Sequence, residues 1–150
     1  MQPRIRPAHL KDRDALGRLK LWASLAWGDH VEELRALPEA GTVPIEHLPF
    51  LFVAESDEAI VGFATVLRGP EGRAELEDLF VAPEFWRRGI GRRLMAEAER
   101  RAEASGARSL HVVANGHARG FYDACGFAVV GMVATLFEPA AAMEKLLRSR

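Results

Sequence analysis

Apolar residues return at three- and four-residue steps through Leu10, Leu16, Leu19, Trp22, Ala23 and Ala26, the spacing of one helical face. This helix is predicted to start at His9, after a short strand Arg4–Pro7 that proline ends. Gly28 interrupts it, Val31–Leu37 reads as a second, shorter helix stopped by Pro38, and residues 38–49 read as loop. The pattern then turns β-rich. Phe50–Glu55 and Ala59–Leu67 read as strands joined by Ser56-Asp57-Glu58, and a Gly69-Pro70-Glu71-Gly72 turn leads into a strand Ala74–Val81. Ile90, Leu94, Met95, Ala98 and Ala102 restore the helical period, with Gly106 placed to stop the helix. A strand Leu110–Ala114, a helix Ala118–Cys125 ended by Gly126, and strands at Phe127–Gly131 and about Ala141–Leu147 complete the chain. Helices set among strands predict an α/β (α+β) fold: a mixed sheet covered by helices.

Composition narrows the function. A chain of 150 residues and 16.6 kDa predicts one domain over its whole length. Apolar residues at 49% and charged residues at 27% are ordinary for a globular protein. With 20 basic against 21 acidic residues the net charge is −1, which disfavours nucleic acid as a partner. The single Cys125 cannot form an intrachain disulfide, and no metal-ligand spacing is present, so no metal is expected. No stretch approaches the roughly 20 apolar residues of a membrane span, and the expected setting is cytoplasmic, with no membrane partner.

Two segments carry the chemistry. The first is the strand–turn–helix unit from Glu75-Leu76-Glu77-Asp78-Leu79-Phe80-Val81 to Trp86-Arg87-Arg88-Gly89-Ile90-Gly91-Arg92. A glycine-rich turn feeding a helix offers free backbone N–H groups at the positive end of the helix dipole, which suits phosphate. It contains neither G-x-x-x-x-G-K-[ST] nor G-x-G-x-x-G. From Glu84 to Arg108 seven Arg stand against four Glu, a surplus of +3. The second segment, Asn115 to Phe127, reads N-x-x-A-x-x-F-Y-x-x-x-G-F.

Together these segments resemble the GNAT superfamily of acyl-CoA-dependent N-acyltransferases, over a span from about Arg4 to Leu147. The resemblance implies a mixed, mostly antiparallel central sheet flanked by helices, and acetyl-CoA as cosubstrate. Gly89 and Gly91 match the small positions of the family's pyrophosphate motif, Q/R-x-x-G-x-G/A, whereas Trp86 replaces its Gln or Arg. That departure bears on a side-chain contact, since the backbone makes most of the phosphate contacts. By the same resemblance, the backbone of Leu79, Phe80 and Val81 pairs with the pantetheine arm. The N–H groups of Arg87, Arg88, Gly89, Ile90, Gly91 and Arg92 wrap the pyrophosphate. Asn115 bonds the pantetheine region, and Tyr122 lies near the thioester sulfur.

Direct transfer to an amine in a ternary complex needs a base, because an alkyl amine with pKa of about 10.4 is mostly protonated at neutral pH. Strand alternation puts Glu75, Glu77, Leu79 and Val81 on one face. Glu75 matches the catalytic glutamate of the family's histone-acetylating members, and Glu77 stands one step closer to the acetyl end. Either can serve. Tyr122 is the candidate acid for the departing thiolate, and a backbone N–H at Phe80 or Val81 the oxyanion donor. Cys125 reads as a helix-end residue, and His111 and His117 as core or surface groups. A non-catalytic acyl-CoA-binding module is the alternative, needing neither base nor acid. Transfer to an aminoacyl-tRNA or a ribosomal component would call for a broad basic surface.

For the acceptor, the resemblance points to the region from about Trp22 to His47, joined by the Leu136–Pro139 loop. Asp29, Glu32, Glu33, Glu39 and Glu46 stand there against Arg35 alone, a surplus of −4. The expectation is a small cationic amine or a lysine-containing acceptor, with Trp22, Trp27, Glu32 and Phe137 as its wall. A homodimer is compatible with the sequence.

Overall fold

A computed structural model describes residues 2–147. Seven strands form one sheet: β1 (Arg4–Pro7), β2 (Leu51–Ser56), β3 (Ala59–Arg68), β4 (Arg73–Val81), β5 (Ser109–Ala114), β6 (Ala128–Val133) and β7 (Ala140–Leu146). Their order across the sheet is β1-β2-β3-β4-β5-β7-β6. β1–β2, β2–β3, β5–β7 and β6–β7 pair antiparallel, and β4–β5 is parallel. The helices are α1 (Arg13–Leu25), α2 (Val31–Ala36), α3 (Ile90–Ala104) and α4 (Arg119–Ala124). The expected mixed sheet with flanking helices is therefore present. Contacts group the chain into two units: residues up to Thr65 with Asp78–Leu94, and Val66–Glu77 with the chain from Met95 on.

In the first unit, Leu16, Leu19 and Ala23 of α1 form a buried cluster with Val43, Leu48, Leu51, Val53, Phe63 and Ala82. Phe52 and Ala54, on the other face of β2, are buried as well. A strand covered on both faces explains why this stretch reads as a continuous apolar run. The β2–β3 hairpin turns through Asp57 and Glu58, both with positive φ (50° and 66°), the backbone a two-residue hairpin turn requires. At Gly62 of β3 a Cβ would come within 3.0 Å of the Phe80 carbonyl and 3.1 Å of Leu94, so β3 can approach β4 and the start of α3 only without a side chain.

Local chemistry moved some boundaries. The first turn, Leu10–Asp12, is a 3-10 helix and α1 begins only at Arg13, because the Asp12 carboxylate caps the His9 N–H at 2.8 Å. Leu10, counted on the apolar face, is 65% exposed. The expected loop at 38–49 contains two 3-10 segments, Pro38–Gly41 and Ile45–Phe50, and β2 starts after them. Pro38 pre-sets the first turn, and the Thr42 hydroxyl donates to the Pro38 carbonyl at 2.7 Å.

In the second unit, Leu110, Val112 and Ala114 of β5 are buried, as are Ala141 and Met143 of β7. Lys145 of β7 pairs with Glu99 of α3 at 3.0 Å. Helices α3 and α4 end alike. Ala107 N–H bonds the Ala102 carbonyl and Gly106 N–H that of Glu103; Phe127 and Gly126 repeat this on Tyr122 and Asp123. β6 is an edge strand, exposed along its length.

One ion network fixes the entry of the chain. Arg6 donates to Asp12 (3.0 and 3.3 Å) and to Glu55 (3.0 and 3.3 Å), and is itself largely buried. The Arg6 guanidinium holds the Asp12 carboxyl below its ordinary range, so the unfolded chain binds that proton more readily than the folded one. This stabilisation is full above about pH 5 and fades as the pH falls below about 4. Asp12→Asn should lower stability by about 2 kcal/mol at pH 7, and urea unfolding should show that difference narrowing at pH 3. A difference that does not change with pH would contradict the role of this charge.

Candidate active site

The parallel ladder between β4 and β5 contains three pairs, Arg73↔Ser109, Ala74↔Leu110 and Glu75↔His111, and then stops. Among the described residues, the second half of β4 has no strand partner on that edge. A backbone edge inside a sheet that lacks a partner must find other acceptors and donors. It is a place for an extended ligand to lie as an added strand.

Beyond Val81 the chain is tied back to β3 by Ala82 N–H to the Val61 carbonyl at 2.8 Å. It runs through a 3-10 turn at Pro83–Phe85, reaches Arg87 in the left-handed region (φ 64°) and Gly89 likewise (φ 81°), and enters α3 at Ile90. The first helical bond is Arg93 N–H to the Gly89 carbonyl. The N–H groups of Gly89, Ile90, Gly91 and Arg92 find no acceptor among the described residues. They stand at the positive end of a 15-residue helix. No heavy atom lies within 4 Å of a Cβ built on Gly89, so the turn is open there. Arg87, Arg88 and Arg92 are exposed, and the Arg88 guanidinium lies 5.1 Å from the centre of the Phe85 ring. Free donors, an open glycine and three cations fit a pyrophosphate.

Trp86 does not sit idle in place of a polar side chain. Its indole N–H donates to the Val81 carbonyl at 2.7 Å, and its ring stacks on Trp27 with centroids 4.5 Å apart and planes at 24°. The Val81 carbonyl is therefore already engaged. In sequence Trp86 is only a departure from the motif, because nothing in its spacing shows that the ring folds back five residues.

The carboxylates of β4 alternate as expected. Ala74, Leu76 and Asp78 are buried, and Asp78 accepts from the Thr65 hydroxyl at 2.9 Å. Glu75 and Glu77 lie on the other face. Glu75 is 3.8 Å from the Arg73 guanidinium, whereas Glu77 is exposed and has no side-chain ion pair among the described residues. Arg73 also reaches His111 Nδ1 at 3.1 Å, and His111 Nε2 lies 2.9 Å from the Ser109 hydroxyl and 3.5 Å from Glu144. His111 is thus a buried member of a polar cluster, which single-residue reading does not reveal.

In the second unit, the Asn115 side-chain oxygen accepts the Ala118 N–H at 3.0 Å, which leaves its amide group as the side chain's donor. Tyr122 of α4 is buried, edge-on to Phe121 (5.3 Å) and Phe127 (5.6 Å). Cys125 closes that helix, as expected of a helix-end residue. Of the acceptor candidates, Trp22 (49% exposed), Trp27 (43%) and exposed Glu32 belong to the first unit. Phe137 belongs to the second, in a loop where its N–H donates to the Thr135 hydroxyl at 3.0 Å. His30 pairs with Glu33 at 3.3 Å, which uses part of the acidic surplus. Among the described residues no cluster of His, Cys, Asp or Glu could hold a metal ion, and no helix is long and apolar enough to cross a membrane.

The sequence profile of the acetyltransferase (GNAT) family matches residues 19–127. No curated protein matches closely enough to count as a relative. Among solved structures, PaiA N-acetyltransferase of Thermoplasma acidophilum, in complex with coenzyme A, superposes with a TM-score of 0.80 at 21% identity, covering 97% of this chain and 99% of that one. A GCN5-related N-acetyltransferase of Rhodopseudomonas palustris gives 0.79 at 26% identity, over 98% and 97%. Nourseothricin acetyltransferase gives 0.61 at 30% identity, over 71% and 70%. The chain belongs to the GNAT family of acetyltransferases, enzymes that draw their acyl group from acetyl-CoA.

Proposed function

We propose that this protein transfers an acetyl group from acetyl-CoA to a primary amine by direct attack in a ternary complex. The observation that carries the reading is the unpaired edge of β4 running toward four free N–H groups at the start of α3. In this reading the pantetheine arm lies along Leu79–Val81, the Arg87–Arg92 turn takes the pyrophosphate, and the Asn115 amide donates to the arm. A backbone N–H at Phe80 or Val81 stabilises the charge that develops on the carbonyl oxygen, as a fixed dipole that needs no rearrangement.

Glu77 takes the amine proton. It is preferred to Glu75 because it stands one step closer to the acetyl end on the same face, while Glu75 already lies beside Arg73. Tyr122 returns a proton to the thiolate: a phenol of pKa about 10 can protonate a thiolate whose conjugate pKa is about 8.5. Glu77→Gln should lower kcat/KM by about 10²–10⁴-fold at neutral pH, less so near the amine's own pKa. Glu75→Gln should stay within a few-fold, and Tyr122→Phe should lower kcat with little change in the acetyl-CoA KM. Equal losses for the two glutamates would move the base to the shared face as a pair.

The acceptor is a small cationic amine or a lysine side chain. Asp29, Glu32, Glu33, Glu39 and Glu46 support this as a one-sign surface, with half-exposed Trp22 and Trp27 as apolar walls and Phe137 as a further one. Nourseothricin acetyltransferase, a neighbour at 30% identity, acts on an acceptor other than a protein by its name, which keeps a small molecule in view. Free-thiol release from acetyl-CoA across polyamines, aminoglycosides, amino acids and Lys-containing peptides tests this. Cations should lead, and their kcat/KM should fall as salt rises. Preference for neutral or acidic amines would rule out the acidic wall and leave the family assignment standing.

A further inference from the structure

We propose that Trp86 is a positioning residue that sets the register of the acyl-pantetheine arm on β4. The inference rests on the reading above, in which β4 and the Arg87–Arg92 turn hold the cosubstrate. Four residues separate the last strand residue, Val81, from Trp86; Ala82 and Phe85 anchor the turn to the core, and its backbone bonds are Phe85 N–H to Ala82 (2.8 Å) and Trp86 N–H to Pro83 (3.2 Å). The indole closes this loop from the outside. Its N–H holds the Val81 carbonyl, and its face is held by Trp27. Immediately after it come the left-handed Arg87 and Gly89 and the four free N–H groups.

The consequence is a fixed span between two places that one ligand must reach at once, the strand end and the phosphate-binding turn. A pantetheine arm has many rotors, and its thioester falls in register only if the span does not vary. Preorganising that span removes the cost of ordering the loop when the ligand binds. By capping the Val81 carbonyl, Trp86 also withdraws one acceptor from β4, so the arm pairs through the groups before it.

The two interactions can be separated. Trp86→Phe keeps a ring for Trp27 and loses the N–H bond; Trp27→Ala keeps the bond and loses the stack. The turn's own backbone bonds remain in both. Calorimetry with CoA and with 3′-phospho-ADP, its nucleotide half, reads the span directly. For Trp86→Phe, CoA affinity should fall about tenfold while 3′-phospho-ADP stays within about twofold, the loss of one hydrogen bond's worth of ordering. Trp27→Ala should change the same ratio in the same direction. Equal weakening of both ligands would make Trp86 a merely structural residue of the turn and overturn the proposal, as would no change in either. Wild-type protein binding CoA no tighter than 3′-phospho-ADP would instead remove the placement of the arm along β4 on which the proposal stands.

Discussion

Backbone hydrogen bonding that stops is the constraint on which this structure turns. A parallel pair of strands normally continues its ladder while both strands last, because an unpaired buried N–H or carbonyl costs about 1–3 kcal/mol. Here β4 leaves β5 after Glu75, with six residues still to run. Leu76 and Asp78 keep one face of β4 buried while this edge stays open. The same strand presents Glu75 and Glu77 on the opposite face, so one element carries both the open edge and the two candidate carboxylates.

A second concentration of unspent bonding lies where β4 gives way to α3. Left-handed backbone at Arg87, a residue with a Cβ, carries strain that an ordinary turn would avoid. It comes just before the N–H groups of Gly89 to Arg92, which find no acceptor among the described residues. Arginines around it make the surroundings positive, in keeping with the local surplus of charge. Trp86 and Trp27 then tie the turn to the strand end and to the chain after α1.

Much of this was legible in the sequence, and for identifiable reasons. Helical and strand periods stated the order of elements because α1, α3 and the inner strands turn apolar residues to the core, and Gly106 and Gly126 marked helix ends because their caps need positive φ. The glycines of the turn and the N-x-x-A-x-x-F-Y segment signalled the family and pointed to a candidate site, because backbone approach to phosphate leaves few alternatives. Three things were not legible. The 3-10 turns between residues 38 and 50 come from local hydrogen bonds with no apolar period. The cluster of Arg73, Ser109, His111 and Glu144 joins strands that only the sheet register brings together. The clamp by Trp86 depends on a side chain folding back on its own chain, which a motif comparison reads only as a mismatch.

Residue-resolved amide hydrogen exchange, with and without CoA, tests the central claim most directly, because it reads the donors themselves. The N–H groups of Gly89, Ile90, Gly91 and Arg92 have no acceptor among the described residues and should exchange fast in the free protein. Saturating CoA should slow them strongly, together with amides of Leu79–Val81 on the open edge of β4. Tight CoA binding that left the Gly89–Arg92 amides as fast as before would contradict the account.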